Sequence, residues 1–180
     1  MSESVVTVGE VSEGRDFWLA QGLGKGLEQK LRAADILIVP ENNFRPGYPF
    51  LFHQDTGHLY QYMSSHLSGK LDVEICATDE EYREIALHAA AFRLSTLVVQ
   101  YGIAPLVVGL ITNYLYDELK AKPTDTVEAT IVVEDQHCKS FKFQYKGEAK
   151  EFGLLADKVG QMARDCEAKS SKDGVIKARK

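Results

Sequence analysis

Cysteine is scarce in this sequence, and its three copies, Cys76, Cys138 and Cys166, are odd in number and far apart. No C-x-x-C pair occurs, which excludes a zinc ribbon and a thioredoxin-type redox motif. A disulfide framework is excluded as well, because small secreted domains carry an even and denser set. The opening MSESVVTVGEVSEGRD contains acids and no continuous apolar stretch, so no signal peptide is read there and a cytoplasmic location is expected. Basic charge is short too. The 21 Lys and Arg against 26 Asp and Glu leave a net charge of -5, whereas a chain-wide nucleic-acid footprint would be basic. No nucleic-acid partner is expected.

Apolar residues are plentiful, at 44% of the 180 positions, enough for a globular core without disulfides or metals. The length suits one domain over residues 1–166. The lysine-rich stretch 167–180 lacks periodicity and is expected to be a disordered tail.

Val5, Val6, Val8 and Val11 suggest a short strand. Leu19, Leu23, Leu27 and Leu31 recur every fourth residue and predict a helix over 15–34, although Gly22, Gly24 and Gly26 each weaken it. Ile36-Leu37-Ile38-Val39, stopped by Pro40, reads as a strand buried on both faces. The stretch 41–50 holds turn formers and aromatics and is expected to be a loop. A helix over 55–67 follows, then a half-buried strand at 71–76 with apolar and polar residues alternating. Thr78 and Glu81 have the spacing of a capping box, which predicts a helix carrying Tyr82, Ile85, Ala86, Ala89 and Phe92. Alternation returns in Val127–Val133 and Phe141–Tyr145, a hairpin. A last helix over 149–166 places Phe152, Leu155, Val159 and Met162 on one side.

Between them lies an uncharged run from Leu94 to Tyr116, longer than the ~20 apolar residues that span a bilayer. Gly102 and Pro105 are expected to kink it or divide it into two helices. A spanning helix would separate the C-terminal hairpin from the other strands, and a lone hairpin is marginally stable. The run is therefore expected as a long, kinked, buried central helix, with Leu106, Val107, Leu110 and Ile111 in the core. The resulting expectation is an α/β fold, with α+β as the alternative: a mixed sheet covered by helices, ending in a β-hairpin plus helix.

Few residues carry chemistry at recognisable spacing. Gly22-Leu23-Gly24-Lys25-Gly26 fits neither a phosphate loop nor a dinucleotide fingerprint. His53-Gln54-Asp55-Thr56-Gly57-His58 offers ligand types that metals favour but lacks the spacing of a helical zinc site, and Asp55 has a simpler use as an N-cap. His137-Cys138 pairs an imidazole with a thiol, but neighbours on a strand point to opposite faces. Neither a metal nor a cofactor is expected. The candidate ligand-binding residues are Asn42, Asn43, Arg45 and Tyr48. They follow a core strand, where open α/β sheets place binding crevices, and Arg45 would take an anion while the two amides orient it and Tyr48 stacks.

Since every enzyme motif fails on spacing, the leading expectation is a non-catalytic interaction or regulatory module of an intracellular multi-protein system. Its partner would be another protein or a second copy, paired with the exposed edge of the C-terminal hairpin, where Lys139, Lys142 and Lys146 stand as guards. The alternatives are a small-ligand or anion sensor, or a small enzyme, using the loop after Val39, and a membrane-associated protein inserting residues 94–116.

Overall fold

The computed structural model describes residues 4–86, 90–134, 140–162, 164 and 165. At its centre, β2 (Ile36–Val39) is buried at every position. It pairs in parallel with β5 (Val73–Ile75) and antiparallel with β8 (Thr96–Gln100). Beyond β8 come β9 (Thr126–Glu134), β10 (Phe141–Glu148) and β1 (Val5–Glu10), giving the order β1-β10-β9-β8-β2-β5. The β8–β9 pair is parallel, whereas β9–β10 and β10–β1 are antiparallel. The mixed sheet therefore joins the C-terminal hairpin to β2, as the instability of a lone hairpin requires.

One face of the sheet is covered by α3 (Thr56–Leu67), α4 (Ala104–Asp117) and a helix over residues 154–162, α5. Ile36, Ile38, Leu97, Val99, Ile131, Phe143 and Tyr145 meet Met63, Val107, Ile111, Tyr114, Leu155 and Val159 there. The opposite face carries a smaller cluster, in which Leu37, Val39, Val98 and Val132 meet Trp18, Leu23 and Leu31.

Several sequence expectations are corrected. The helix over 15–34 is two short helices, α1 (Arg15–Ala20) and α2 (Glu28–Ala33). Gly22, Gly24 and Gly26 all have positive φ, which a right-handed helix cannot contain and which glycine alone adopts freely. The leucine stripe still packs: Leu23 and Leu31 are buried, with Leu19 and Leu27 against them. The expected loop at 41–50 is a hairpin of β3 (Glu41–Arg45) and β4 (Tyr48–His53). Gly47, at φ 81, follows Pro46 at its tip, the arrangement of a tight turn.

The Thr78–Glu81 capping box forms, with Thr78 N–H donating to Glu81 Oε2 at 2.8 Å and Glu81 N–H to Thr78 Oγ1 at 3.4 Å. It closes a turn rather than starting a helix, because Glu81 also accepts the Gly24 N–H at 2.8 Å and ties this turn to the glycine segment. The chain beyond it forms β6 (Glu84–Ile85) and β7 (Ala91–Arg93). Asp55 precedes α3 but its side chain makes no cap bond. Glu84 caps the helix from a distance, accepting N–H groups of Gly57 at 2.9 Å and Asp55 at 3.3 Å.

The uncharged run is not one kinked helix. It divides into β8, a single 3-10 turn at Tyr101–Ile103, and α4 with Pro105 in its first turn, where a missing N–H costs nothing. Val107, Leu110 and Ile111 are buried, but Leu106 is 55% exposed. Among the described residues no helix is long and apolar enough to cross a membrane. His137, Cys138, Lys139 and the 167–180 tail lie outside the described residues.

Candidate functional site

α1 and α2 cover the second face of the sheet over β2, β8 and the Val132 end of β9. Over β9, β10 and β1 that face lines an open cleft of about 740 Å³. Its floor is a period-two stripe, Glu128, Thr130 and Val132 on β9 beside Lys142, Gln144 and Lys146 on β10, because alternate residues of a strand share a face. Val5 and Thr7 extend the floor, while Phe17 and Trp18 of α1 form one wall and Pro40, Glu41, Asn42, His53 and Arg93 another.

A β-bulge positions the second wall. Ala91 pairs with Thr126 but Leu97 pairs with Ile131, so the β7–β8 side carries one residue more than β9. Bulges re-aim side chains at such points. Here the buried Ser95 Oγ accepts the His53 N–H at 3.0 Å and lies 2.7 Å from Thr56 Oγ1. The end of β4, the start of α3 and the β7–β8 junction are thereby fastened together, with the Arg93 and His53 side chains on one wall.

The polar groups of the cleft are arranged as ion pairs. Arg93 Nε lies 2.9 Å from Glu128 Oε2, and Lys146 Nζ lies 2.8 Å from Glu128 Oε1. Lys146, first, and then Arg93 hold the Glu128 carboxyl below the usual carboxylate value against the opposing effect of burial. Two cations thus share one carboxylate at this point, while Glu13 and Glu41 on the walls bring the lining as a whole to three carboxylates and three cations. The contact of Arg93 Nε with Glu128 lacks the alignment of a hydrogen bond, and among the described residues that buried nitrogen has no other acceptor. Lys142 Nζ pairs with Glu13 at 3.2 Å. Trp18, 5% exposed, has a buried indole N–H with no acceptor among the described residues.

His53 Nε2 stands 3.1 Å from Glu41 Oε2. Burial lowers the imidazole pKa, Glu41 opposes the shift, and Arg93 adds to it. A neutral ring results near pH 7, carrying its proton on the nitrogen that faces the carboxylate and leaving Nδ1 as an acceptor. A second, smaller cavity of about 370 Å³ lies beyond His53, Arg93 and Leu94, lined also by Asp55, Phe92 and Asp125. Arg93 thus borders both spaces.

Of the four residues expected to bind a ligand, Asn42 lines the cleft. Asn43, Arg45 and Tyr48 are exposed on the β3–β4 hairpin, where the Arg45 guanidinium lies 4.8 Å above the Tyr48 ring in a cation–π contact. The four do not converge on one pocket. His53 and His58 bind different carboxylates, since His58 Nε2 pairs with Glu118 at 3.3 Å. Among the described residues no group of three or more metal-ligating side chains assembles. Cys76 is buried in the smaller cluster, and burial raises its thiol to about 11, far from a reactive thiolate.

Arg93, Glu128, His53 and Glu41 escape a search by motif, being dispersed over four strands. The available signal is the polar stripe Lys142-Gln144-Lys146 opposite Glu128, charged residues on the non-core face of two otherwise apolar strands. No family model matches this chain, and comparison with curated proteins and with solved structures likewise finds no match.

Proposed function

We propose that this protein is a binding domain for a small anionic molecule, a carboxylate or phosphate bearer, held in the cleft by Arg93. The observation that carries the reading is the convergence of Arg93 and Lys146 on the single carboxylate of Glu128, a local pairing of two cations with one anion in a cleft whose lining as a whole balances its charges. A planar guanidinium suits such anions because its fork matches two oxygens at once. Asn42 supplies an orienting amide on the same wall, and neutral His53 offers an acceptor for a ligand hydroxyl. Arg45, stacked on Tyr48 at the exposed hairpin, has a weaker claim, since solvent competes for an exposed ion pair.

A panel of carboxylates, phosphates and nucleotides, read by thermal shift and then calorimetry, tests this. Binding should be weakened about tenfold or more by Arg93→Met, the scale of a lost charge-assisted hydrogen bond, and changed little by Arg45→Ala. If no anion binds, or if Arg93→Met binds as the native chain does, the reading is wrong. A protein-interaction role is the second reading, favoured by the edge that β1 leaves open among the described residues.

A further inference from the structure

The sheet expected to end at the hairpin does not end there, because β1 occupies the outer side of β10 along Val5–Glu10. Among the described residues the exposed edge is β1 itself. Other edges of the two sheets carry the guards that discourage pairing. β5 has only three residues and includes Glu74, while β3 carries Glu41 and Arg45 and an irregular register between Asn42 and Arg45. β1 is six residues long, has neither lysine nor proline, carries its one acid, Glu10, at its end, and keeps an unbroken register with β10. Val5 and Val8 are 53% and 40% exposed.

The direction of the backbone groups follows from the register. Val11 N–H donates to Ser140 O at 2.9 Å, in line with the β1–β10 pairing. Antiparallel ladders alternate, so Val5, Thr7 and Gly9 face β10, and Val6 and Val8 direct their N–H and C=O groups outward.

We propose that β1 pairs antiparallel with β1 of a second copy about a two-fold axis at Thr7. Residues opposite each other in such a pair share a face, which limits a symmetric register to residues of like parity. The register centred on Thr7 sets Val6 opposite Val8 twice, both with outward backbone groups, and Thr7 opposite Thr7. Val5 meets Gly9, and Glu10 meets Ser4, so no acid faces its own copy. The two-fold axis stands perpendicular to the sheet and keeps the faces aligned. Val5 and Thr7 line the cleft, so the two clefts would lie side by side on one continuous floor. The pairing stands apart from the anion reading, since it rests on the edge alone.

A single strand pair buries less than a standard interface, and each copy carries a net charge of -5. Association is therefore expected to rise with protein concentration and with salt, which screens the repulsion. Sedimentation or light scattering over a concentration series should give a mass that moves from 20.1 kDa towards twice that value. Val8→Lys, at an exposed position, should hold the folded protein at the monomer mass. Thr7→Cys, in a chain with Cys138 and Cys166 replaced by serine, should form a disulfide-linked dimer on oxidation, because a residue on the axis faces its own copy. Val5→Cys in the same background should not, being two residues off the axis. A monomer at every concentration would overturn the proposal. So would a dimer that Val8→Lys leaves intact and Thr7→Cys fails to link.

Discussion

Replacing Arg15 by methionine should remove a large share of the stability of this fold. Arg15 is 7% exposed, and its guanidinium donates to the backbone carbonyls of Leu31 and Arg32 at 3.0 Å each and to that of Ala34. Those carbonyls sit at the end of α2, where helix geometry leaves C=O groups without partners. Arg15 Nε also faces Glu134 Oε2 at 3.4 Å, and Glu134 Oε1 accepts the Arg15 backbone N–H. Methionine fills similar space but strands the carbonyls and leaves Glu134 without its cation. Breaking a buried ion pair from one side costs about 3–5 kcal/mol, a large part of the roughly 5–15 kcal/mol that holds a typical domain. Urea unfolding should show a midpoint lowered by more than about 1 M at unchanged slope. Glu134→Gln retains an acceptor and should cost less. The double variant should lose less than the sum of the two, since the residues share one network. A loss below about 1 kcal/mol for Arg15→Met would refute the reasoning, because it would mean that water serves those carbonyls equally well.

On α4, Ile111 is 1% exposed and Leu106 is 55% exposed. Ile111→Ala should cost about 2–5 kcal/mol and Leu106→Ala stay within about 0.5 kcal/mol; similar losses in denaturant titrations would contradict the α4 packing. Glu81 supplies a pH test. Burial alone would raise its carboxyl, but N–H groups of Thr78 and Gly24 hold it below the ordinary carboxylate value. A lowered folded-state pKa adds stability above the unfolded value and loses it as pH falls through the folded one. The stability gap between the native chain and Glu81→Gln should therefore narrow from roughly pH 6 to pH 3, and a gap independent of pH would count against the clasp.

Strands governed by their own side-chain pattern were the most legible part of the fold. The apolar run Ile36–Val39 and the alternating Val127–Val133 needed nothing beyond period and composition, since burial on two faces or one leaves a distinct signature. Where two local signals conflict, the pattern misleads. The leucines at 19, 23, 27 and 31 gave a helical period, but three glycines at positive φ bend the chain so that the same leucines reach one cluster by another path. The Thr78–Glu81 spacing was a true hydrogen-bonding unit and a false helix start. What decides between turn and helix is the Gly24 N–H, 57 residues away in sequence.

The uncharged run illustrates a different limit. Hydrophobicity says that residues 94–116 avoid water, and says nothing of whether a strand, a helix or lipid does the covering. Thr96-Leu97-Val98-Val99 is β-branched enough to choose a strand, and Pro105 sits where a helix may begin but not continue, so the division was written at Gly102 and Pro105. The proposed site lay deeper. Arg93 and His53 meet because one extra residue at Leu94–Ser95 re-aims the chain and lets Ser95 Oγ bind the His53 backbone. Glu128 and Lys146 join them because β9 and β10 are in the register that sets Glu128 directly opposite Lys146. A bulge and a register are properties of paired strands, and neither strand carries them alone. Sequence reading expected a binding crevice beside the end of β2, near enough to include Asn42, with the anion at Arg45 on the hairpin. The proposed cleft presents instead Arg93, 48 positions further along the chain, which strand pairing and not sequence spacing brings to Glu128.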